Sequence, residues 1–294
     1  MNQLESLRAF VTAVDAGSLS AAARELAMPL PTLSRKVAAL ERHLGTALLV
    51  RTSRRLAITE AGQAYVATAR RLLEELAEAD RAARGEYQEP RGELAIAAPL
   101  VFGRLYVLPI VAELLREYPD IRVRLVLSDR YANLVEDHLD VAVRIGELPA
   151  TGLIALRVGT VRHVTCASPA YLEARRRPKR PLELARHACI AFEPALATTV
   201  EWRFAEETVA IRPRLAVTTA DAAIDAAIAG LGIVRVLSYQ SRVPERDHRL
   251  QRVLASFEPP AIPVQLVRLG PLIPRKVRAF LDLAATRLKP LLDR

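Results

Sequence analysis

The chain has 294 residues, length for about two domains, and its 51% apolar and 26% charged side chains exclude a disordered or low-complexity polymer. Its formal charge of +9 carries little by itself, because all but four of the 42 bases are Arg, so their placement must be read instead. Charges at Glu5, Arg8 and Asp15 exclude a signal peptide, and no uncharged apolar run approaches the roughly 18 residues that cross a bilayer, so a soluble, cytoplasmic protein without membrane contact is expected.

Leu4, Leu7, Phe10 or Val11, and Val14 recur at helical spacing and stop at Gly17. Ser18 can cap a second helix whose alanine-rich interior, Leu19, Ala22, Ala23 and Leu26, permits close approach of a neighbour. Pro29 and Pro31 enforce a tight turn at 28–30 and restart the chain as a third helix, with Leu33, Val37, Leu40 and Leu44 inward. Thr32, Arg35, Lys36 and Ala39 are expected to point away, and Gly45 to end the helix. Two apolar strands, 48–50 and 56–58, then flank the basic tip Arg51-Thr52-Ser53-Arg54-Arg55, a hairpin or wing. Thr59 can cap a long helix from Glu60 to about Tyr87, along which Ala61, Ala69, Leu72, Leu76, Ala79 and Ala83 form an apolar stripe. Burial of that stripe against a second copy is the favoured reading, and packing on its own domain the alternative.

Beyond Pro90 and Gly92 strands alternate with helices. Strands are expected at 94–98, 121–127, 141–145, 161–167, 215–218, 233–236 and 264–267, and helices at 104–118, 131–138, 169–176, 221–229 and 274–289. The sheet should be mainly parallel. Breaks around 146–152 and 259–263 divide about 200 residues into two α/β lobes with a cleft between them. The run Arg175 to Arg180 reads as a solvated loop, with a binding patch as the alternative.

Residues 31–58 hold six bases against Glu41 alone. Three short helices, a tight turn, a basic outer face and a basic wing form a winged helix-turn-helix pattern, whose chemistry is reading duplex DNA. Arg35 can give two parallel hydrogen bonds to a guanine edge, while Ser18, Ser20, Leu30, Pro31, Thr32, Ser34 and Lys36 offer further contacts to bases or phosphates. Arg51, Arg54 and Arg55 would neutralise phosphates or enter a minor groove.

Residues 1–62 resemble the N-terminal domain of LysR-type transcriptional regulators through Leu4 to Phe10, Gly17-Ser18-Leu19-Ser20-Ala21-Ala22-Ala23, Leu33-Ser34-Arg35-Lys36-Val37, Leu40-Glu41, Leu44-Gly45, Leu48-Leu49, Arg51 and Ile58-Thr59-Glu60-Ala61-Gly62. The strand-helix-strand at 92–127, Gly230-Leu231-Gly232-Ile233 and Lys276 to Asp282 resemble that family's effector-binding region. The resemblance implies a linker-helix dimer, commonly assembled into tetramers, and a C-terminal half of two lobes similar to periplasmic binding proteins. The expected fold is therefore an all-α winged helix-turn-helix domain over 1–59, a linker and dimerisation helix over 60–89, and a two-lobed α/β effector domain over 90–294. Lobe I would take about 90–162 and 266–294, and lobe II about 163–265. The expected function is sequence-specific binding to an interrupted inverted repeat in double-stranded DNA, controlled by a small-molecule effector. Two departures from the family pattern are Pro29 and Leu30, where a serine cap and a polar base reader are common. A third is Ala97-Ala98-Pro99-Leu100-Val101, in place of a hydroxyl-bearing loop.

Strand ends are where open α/β sheets bind ligands. Leu100, Val101, Phe102, Ser128, Arg144, Ser168 and Thr219 are accordingly expected to wall the cleft. Backbone N–H groups at 100–102 and 219, with Arg144 if it turns inward, would favour a carboxylate on an apolar body; ordinary core for 100–102 and a surface ion pair for Arg144 are the alternatives. No GxSxG elbow, GxGxxG after a strand or P-loop occurs, so an enzyme is not expected. Cys166 and Cys189 read as buried apolar side chains, and His43, His138, His163, His187 and His248 have no ligand spacing, so neither metal nor cofactor is expected.

Overall fold

The computed structural model describes residues 2–51, 56–83, 89–148, 152–192, 198–270 and 273–292, and the chain divides into two compact units, 1–89 and 90–294. In the first, α1 (Gln3–Asp15), α2 (Leu19–Glu25) and α3 (Leu30–Leu44) bury Leu7, Phe10, Ala22, Ala23, Leu33, Val37 and Leu40 in one core. Ser18 Oγ accepts from Ala21 N at 3.0 Å and starts α2. The same helix ends with Met28 N donating to Ala23 O at 3.0 Å across Ala27, a non-glycine residue held at φ +48. Pro29 is extended, Pro31 sits in the first turn of α3, and Gly45 closes that helix at φ +68.

Short strands β1 (Leu49–Arg51) and β2 (Leu56–Ile58) pair antiparallel as the wing, whose tip residues 52–55, including Arg54 and Arg55, lie outside the described residues. Glu41 accepts from Leu48 N and Leu49 N at 2.9 and 3.0 Å, and Thr59 Oγ1 donates to Ala47 O at 2.8 Å, so side chains tie the wing base to its neighbours. The long helix α4 (Glu60–Ala83) starts beneath it. A Cβ on Gly62 would stand 2.2 Å from Leu48 O, so the approach of wing to helix requires glycine there.

The second unit holds two five-stranded sheets. The first runs β4 (Ile121–Leu127), β3 (Gly92–Ala98), β5 (Val141–Ile145), β14 (Ile262–Arg268), β6 (Ile154–Val161). The other runs β11 (Leu215–Val217), β8 (Cys189–Phe192), β12 (Ile233–Leu237), β7 (His163–Ala167), β13 (Gln251–Val253). Each sheet joins a parallel trio to an antiparallel pair, so the expectation of mainly parallel sheets is corrected to mixed ones. The reason is the connection between lobes. Strand β6 leads across Arg162 directly into β7, and the chain returns between β13 and β14, so the strand that receives the chain in each lobe, β7 or β14, runs against its trio. The return strand begins at Ile262, two residues before the expected 264.

On lobe I, β3 sends Leu94 and Ile96 toward α5 (Leu100–Phe102), the π turn Gly103–Val107, α6 (Leu108–Glu117) and α10 (Arg275–Leu292), while Ala95 and Ala97 face the opposite layer. A strand buried on both sides is the signature of a covered α/β sheet. Lobe II packs α8 (Ala220–Ile228) on one face of its sheet, and α7 (Pro169–Ala174) with the hairpin β9 (Val200–Arg203) and β10 (Thr208–Ile211) on the other. The helix α9 (Ser238–Arg246) follows β12. No helix forms at 131–138: Asn133 Oδ1 accepts from Val135 N at 3.0 Å and Asp137 Oδ2 from Asn133 N at 2.7 Å, side-chain bonds that compete with a helical ladder. No helix among the described residues is long and apolar enough to cross a membrane.

Candidate functional sites: an exposed helix face and a cavity between lobes

Ser20 on α2 and Leu30, Pro31 and Arg35 on α3 are exposed, with Leu30 at 42%. Thr32 and Ser34 are half-buried. Arg35 folds back along its own first turn, Nε donating to Pro31 O at 3.3 Å and Nη2 to Thr32 Oγ1 at 3.4 Å. These weak, exposed bonds leave its guanidinium in water. Lys36 differs from expectation. It is half-buried and ion-paired to Glu5 of α1, which holds the Glu5 carboxyl below its ordinary pKa by hydrogen bonding and charge. Its charge is partly neutralised and it braces α3 against α1. Arg51 lies in β1, and nothing of its side chain is described. Because Glu41, the segment's acid, is turned onto the wing backbone, it does not offset the bases on the outer face.

Along α4 the stripe divides. Val66 and Ala69 are buried in the domain core with Tyr65 and Leu73 against them, and Arg70 pairs with Asp15 of α1, so Ala69 belongs to its own domain and Ala61 is exposed. Leu72 and Leu76 stay uncovered, 46% and 37% exposed. The side chains of Ala79 and Ala83 lie outside the described residues.

Between the lobes of the second unit lies a cavity of about 600 Å³. Lobe I supplies Pro99, Asp129, Ile145 and Ile262, and lobe II supplies His163, Phe192, Trp202, Arg235 and Tyr239 among others. None of the seven residues expected from the sequence lines it among the described residues. Val101 and Phe102 are 2% and 0% exposed in the lobe I core, with Leu100 packed beside them, because α5 continues from the end of β3 and turns its apolar residues onto the core that β3 shares with α6 and α10. Leu100 N, a donor expected to be free, is taken by Asp129 Oδ1 at 3.1 Å. Ser168 and Thr219 spend their hydroxyls as caps, accepting from Tyr171 N and Ala222 N. Ser128 accepts from Arg130 N at 3.1 Å, and Arg144 lies over the Tyr131 ring at 4.1 Å while donating to Ala132 O. Those two share a smaller pocket of about 130 Å³ with Asp129.

Asp129 and Arg235 at the large cavity are half-buried, while Glu201 and Arg203 on its wall are exposed. Burial, with Asp221 adding repulsion, raises the Asp129 pKa even though the Leu100 N–H lowers it. Arg235, from the middle of β12, donates to Arg203 O and stands 5.2 Å from the Phe204 ring. Its Nε is buried without a hydrogen-bond partner among the described residues, and burial alone depresses its pKa to about 10. Beside it, burial and then the Arg235 charge push His163 down to about 4, so that imidazole is neutral near pH 7. Tyr239 stacks edge-on to Phe102 at 5.3 Å and joins the lobes; Arg104 and Asp221, 3.6 Å apart, do so at the surface. A lone base inside the apolar strand Ile233–Leu237, and the chain's one tryptophan at 202, were the sequence signals for this site.

Residues 4–63 match the model of the lysR family of bacterial regulatory helix-turn-helix proteins, and residues 87–289 match the LysR substrate binding domain. Similar proteins include an HTH-type transcriptional regulator of Xanthomonas campestris, 32% identical over 95% of this chain and 83% of the relative, and YhjC of Escherichia coli, an uncharacterized HTH-type transcriptional regulator, 31% identical over 100% of both. The solved structure of CrgA, a LysR-type transcriptional regulator from Neisseria meningitidis, is 32% identical and covers 97% of this chain and 98% of that one, with a TM-score of 0.62. A winged helix-turn-helix domain, a linker helix and a two-lobed α/β domain define the class, and the chain belongs to the LysR-type transcriptional regulators. It is a regulator with a substrate-binding domain, and its relatives are transcriptional regulators.

Proposed function

We propose that this protein binds an interrupted inverted repeat in duplex DNA as a dimer and that a small molecule held between its lobes sets that binding. The carrying observation is the cavity of about 600 Å³ whose walls come from both lobes. A ligand touching both walls binds one inter-lobe angle better than another, and its influence is bounded by that difference in affinity. Base reading falls to Arg35 with Leu30, Thr32 and Ser34, helped by Ser18, Ser20 and Pro31. Arg51, Arg54 and Arg55 of the wing supply phosphate contacts. Leu72 and Leu76, with Ala79 and Ala83 further along α4, form the seam between copies. The place of action on this reading is the cytoplasm, beside the DNA.

The test is a screen of small carboxylates, amines and amino acids for compounds that shift operator affinity, repeated on Ile145→Trp and Pro260→Trp. Each indole would enter the cavity. Both variants should bind operator as the parent does without ligand and lose the shift. Compounds that act equally on parent and both variants would place the effector elsewhere.

A further inference from the structure

Four charged residues line the cavity: Glu201 and Arg203 are exposed on the β9 hairpin, whereas Asp129 of lobe I and Arg235 of lobe II, of opposite sign, are half-buried, and neither of these two has a counter-charge among the described residues. On lobe II, Arg235 meets the carbonyl of Arg203 and the ring of Phe204, its Nε has no acceptor among the described residues, and no acidic group acts on its titration. On lobe I, Asp129 has one backbone donor, Leu100 N, and its charged neighbour is another acid, Asp221. A half-buried charge without a partner is held at a cost that a bound counter-charge relieves. Asp129 and Arg235 do not relieve each other, since neither affects the titration of the other across the gap. Apart from Gln240 and the exposed Glu201 and Arg203, the remaining wall is largely apolar or aromatic, with Pro99, Ile145, Phe192, Trp202 and Ile262 on it. His163, being neutral, adds a donor and an acceptor without charge.

Asp129 also removes the simplest alternative. The first free N–H of α5 is the place where lobe I would otherwise take a ligand carboxylate, and it is already filled by a carboxylate of the chain itself. A second anion brought to that loop would meet Asp129 and, behind it, Asp221. An anion is welcome on the other wall, at Arg235, where guanidinium and carboxylate can form charge-assisted hydrogen bonds.

The geometry points to a dipolar effector: an anionic group, best a carboxylate, toward Arg235 of lobe II, and an ammonium or other strong hydrogen-bond donor toward Asp129 of lobe I, joined by an apolar or aromatic body. This inference rests on the cavity being the effector site. It gives the regulation a direction, because a molecule with both ends draws the lobes together, while one with a single charge satisfies one wall and leaves the other as it was.

The experiment is calorimetric titration of the full chain with the twenty common amino acids and three aminobenzoates. Every binder is followed by its analogue lacking the amine and its analogue lacking the carboxylate; for L-phenylalanine these are 3-phenylpropanoate and 2-phenylethylamine. At least one dipolar compound should bind, and each single-charge analogue should bind at least tenfold more weakly. Asp129→Asn should erase the preference over the amine-free analogue, and Arg235→Met the preference over the carboxylate-free one. Retained operator binding by both variants shows that they fold. An amine-free analogue that binds as tightly as its parent, affinity untouched by Asp129→Asn, or no binding by any dipolar member overturns the inference. Ile145→Trp and Pro260→Trp separate the two failures: single-charge compounds that bind the parent but not these variants leave the cleft as the effector site and refute only the dipolar ligand. Compounds indifferent to both variants refute the cleft itself.

Discussion

The two units of this chain keep their chemistry on opposite sides of their surfaces. In the first, the groups left for a partner face outward: Arg35 makes only two long bonds to its own helix and lies in water, and Leu30, Leu72 and Leu76 are apolar side chains that their own unit leaves partly exposed. In the second they face inward: Asp129, Arg235 and neutral His163 are half-buried around a cavity. An outward group contributes little to its own fold and waits for a macromolecule, whereas an inward one burdens the fold until a small molecule arrives. Substitutions in the first unit should therefore change association and leave local folding intact, and those in the second should change stability even in the absence of any partner.

The largest expected effect is at Leu76. Leu76→Glu puts a charge where α4 is uncovered, so helix content by circular dichroism should match the parent. Pairing of copies should weaken by about 3 kcal/mol or more, because a carboxylate would be buried without a partner at the seam. Light scattering should then report monomers at concentrations where the parent is a dimer, and operator affinity should fall with them. An unchanged oligomer removes Leu76 from the seam and breaks the contrast at its outward end.

Arg35 sharpens the same contrast at smaller scale. Arg35→Ala should cost about 1 to 3 kcal/mol on a selected operator and relax preference at one base pair. Arg54→Ala should weaken all sequences alike and lower the slope of affinity against salt by about one. Binding of Arg35→Ala to operator and random duplex as the parent binds them would mean that another element reads the bases.

The outward unit was the more legible from sequence, for reasons visible in single residues. Its helices announce themselves by local signals: Ser18 as a cap, the Pro29 and Pro31 pair, Gly45 as a stop, and a regular apolar period from Leu33 to Leu40. Lys36 was misjudged because its partner, Glu5, is 31 positions away in the chain and no periodicity reveals a contact at that range. Three strand-end loops of the cleft were legible, but there the residues were missed by one: Pro99 rather than Leu100, Asp129 rather than Ser128, Ile145 rather than Arg144; the loops of Ser168 and Thr219 do not line the cavity. Adjacent residues at a strand end point to opposite sides, and which side faces the other lobe is set by the crossing of β6 into β7, a tertiary fact. The helix α9 was missed for a different reason. Its sequence, SYQSRVPER, carries a proline and little apolar period, and Gln240 Oε1, accepting from Leu237 N at 2.8 Å, starts it where no serine or aspartate cap is present.

His163 tests the inward end of the contrast, with the smallest expected effect. Its folded-state pKa of about 4 lies below the 6.5 of an ordinary histidine, first because burial disfavours the charged ring and second because the Arg235 charge repels it. Between those two values the unfolded chain binds a proton that the folded chain refuses, so stability rises with pH through this window. The contribution is complete above about pH 6.5 and is lost as pH falls toward 4. It should amount to about 1 to 2 kcal/mol, in a cavity wall that solvent partly reaches. Carboxylates titrate at the acid end of the same range, so the quantity to measure is the difference between the parent and His163→Gln in chemical unfolding at pH 7.5, 6 and 5. The parent should lose stability relative to the variant at each step. Arg235→Met should shrink that difference, because it removes the repelling charge and leaves burial alone to hold the ring neutral. Parallel pH profiles for parent and His163→Gln would mean that the imidazole is solvated like those on the surface, and that the cavity does not impose on its walls the burden that separates this unit from the first.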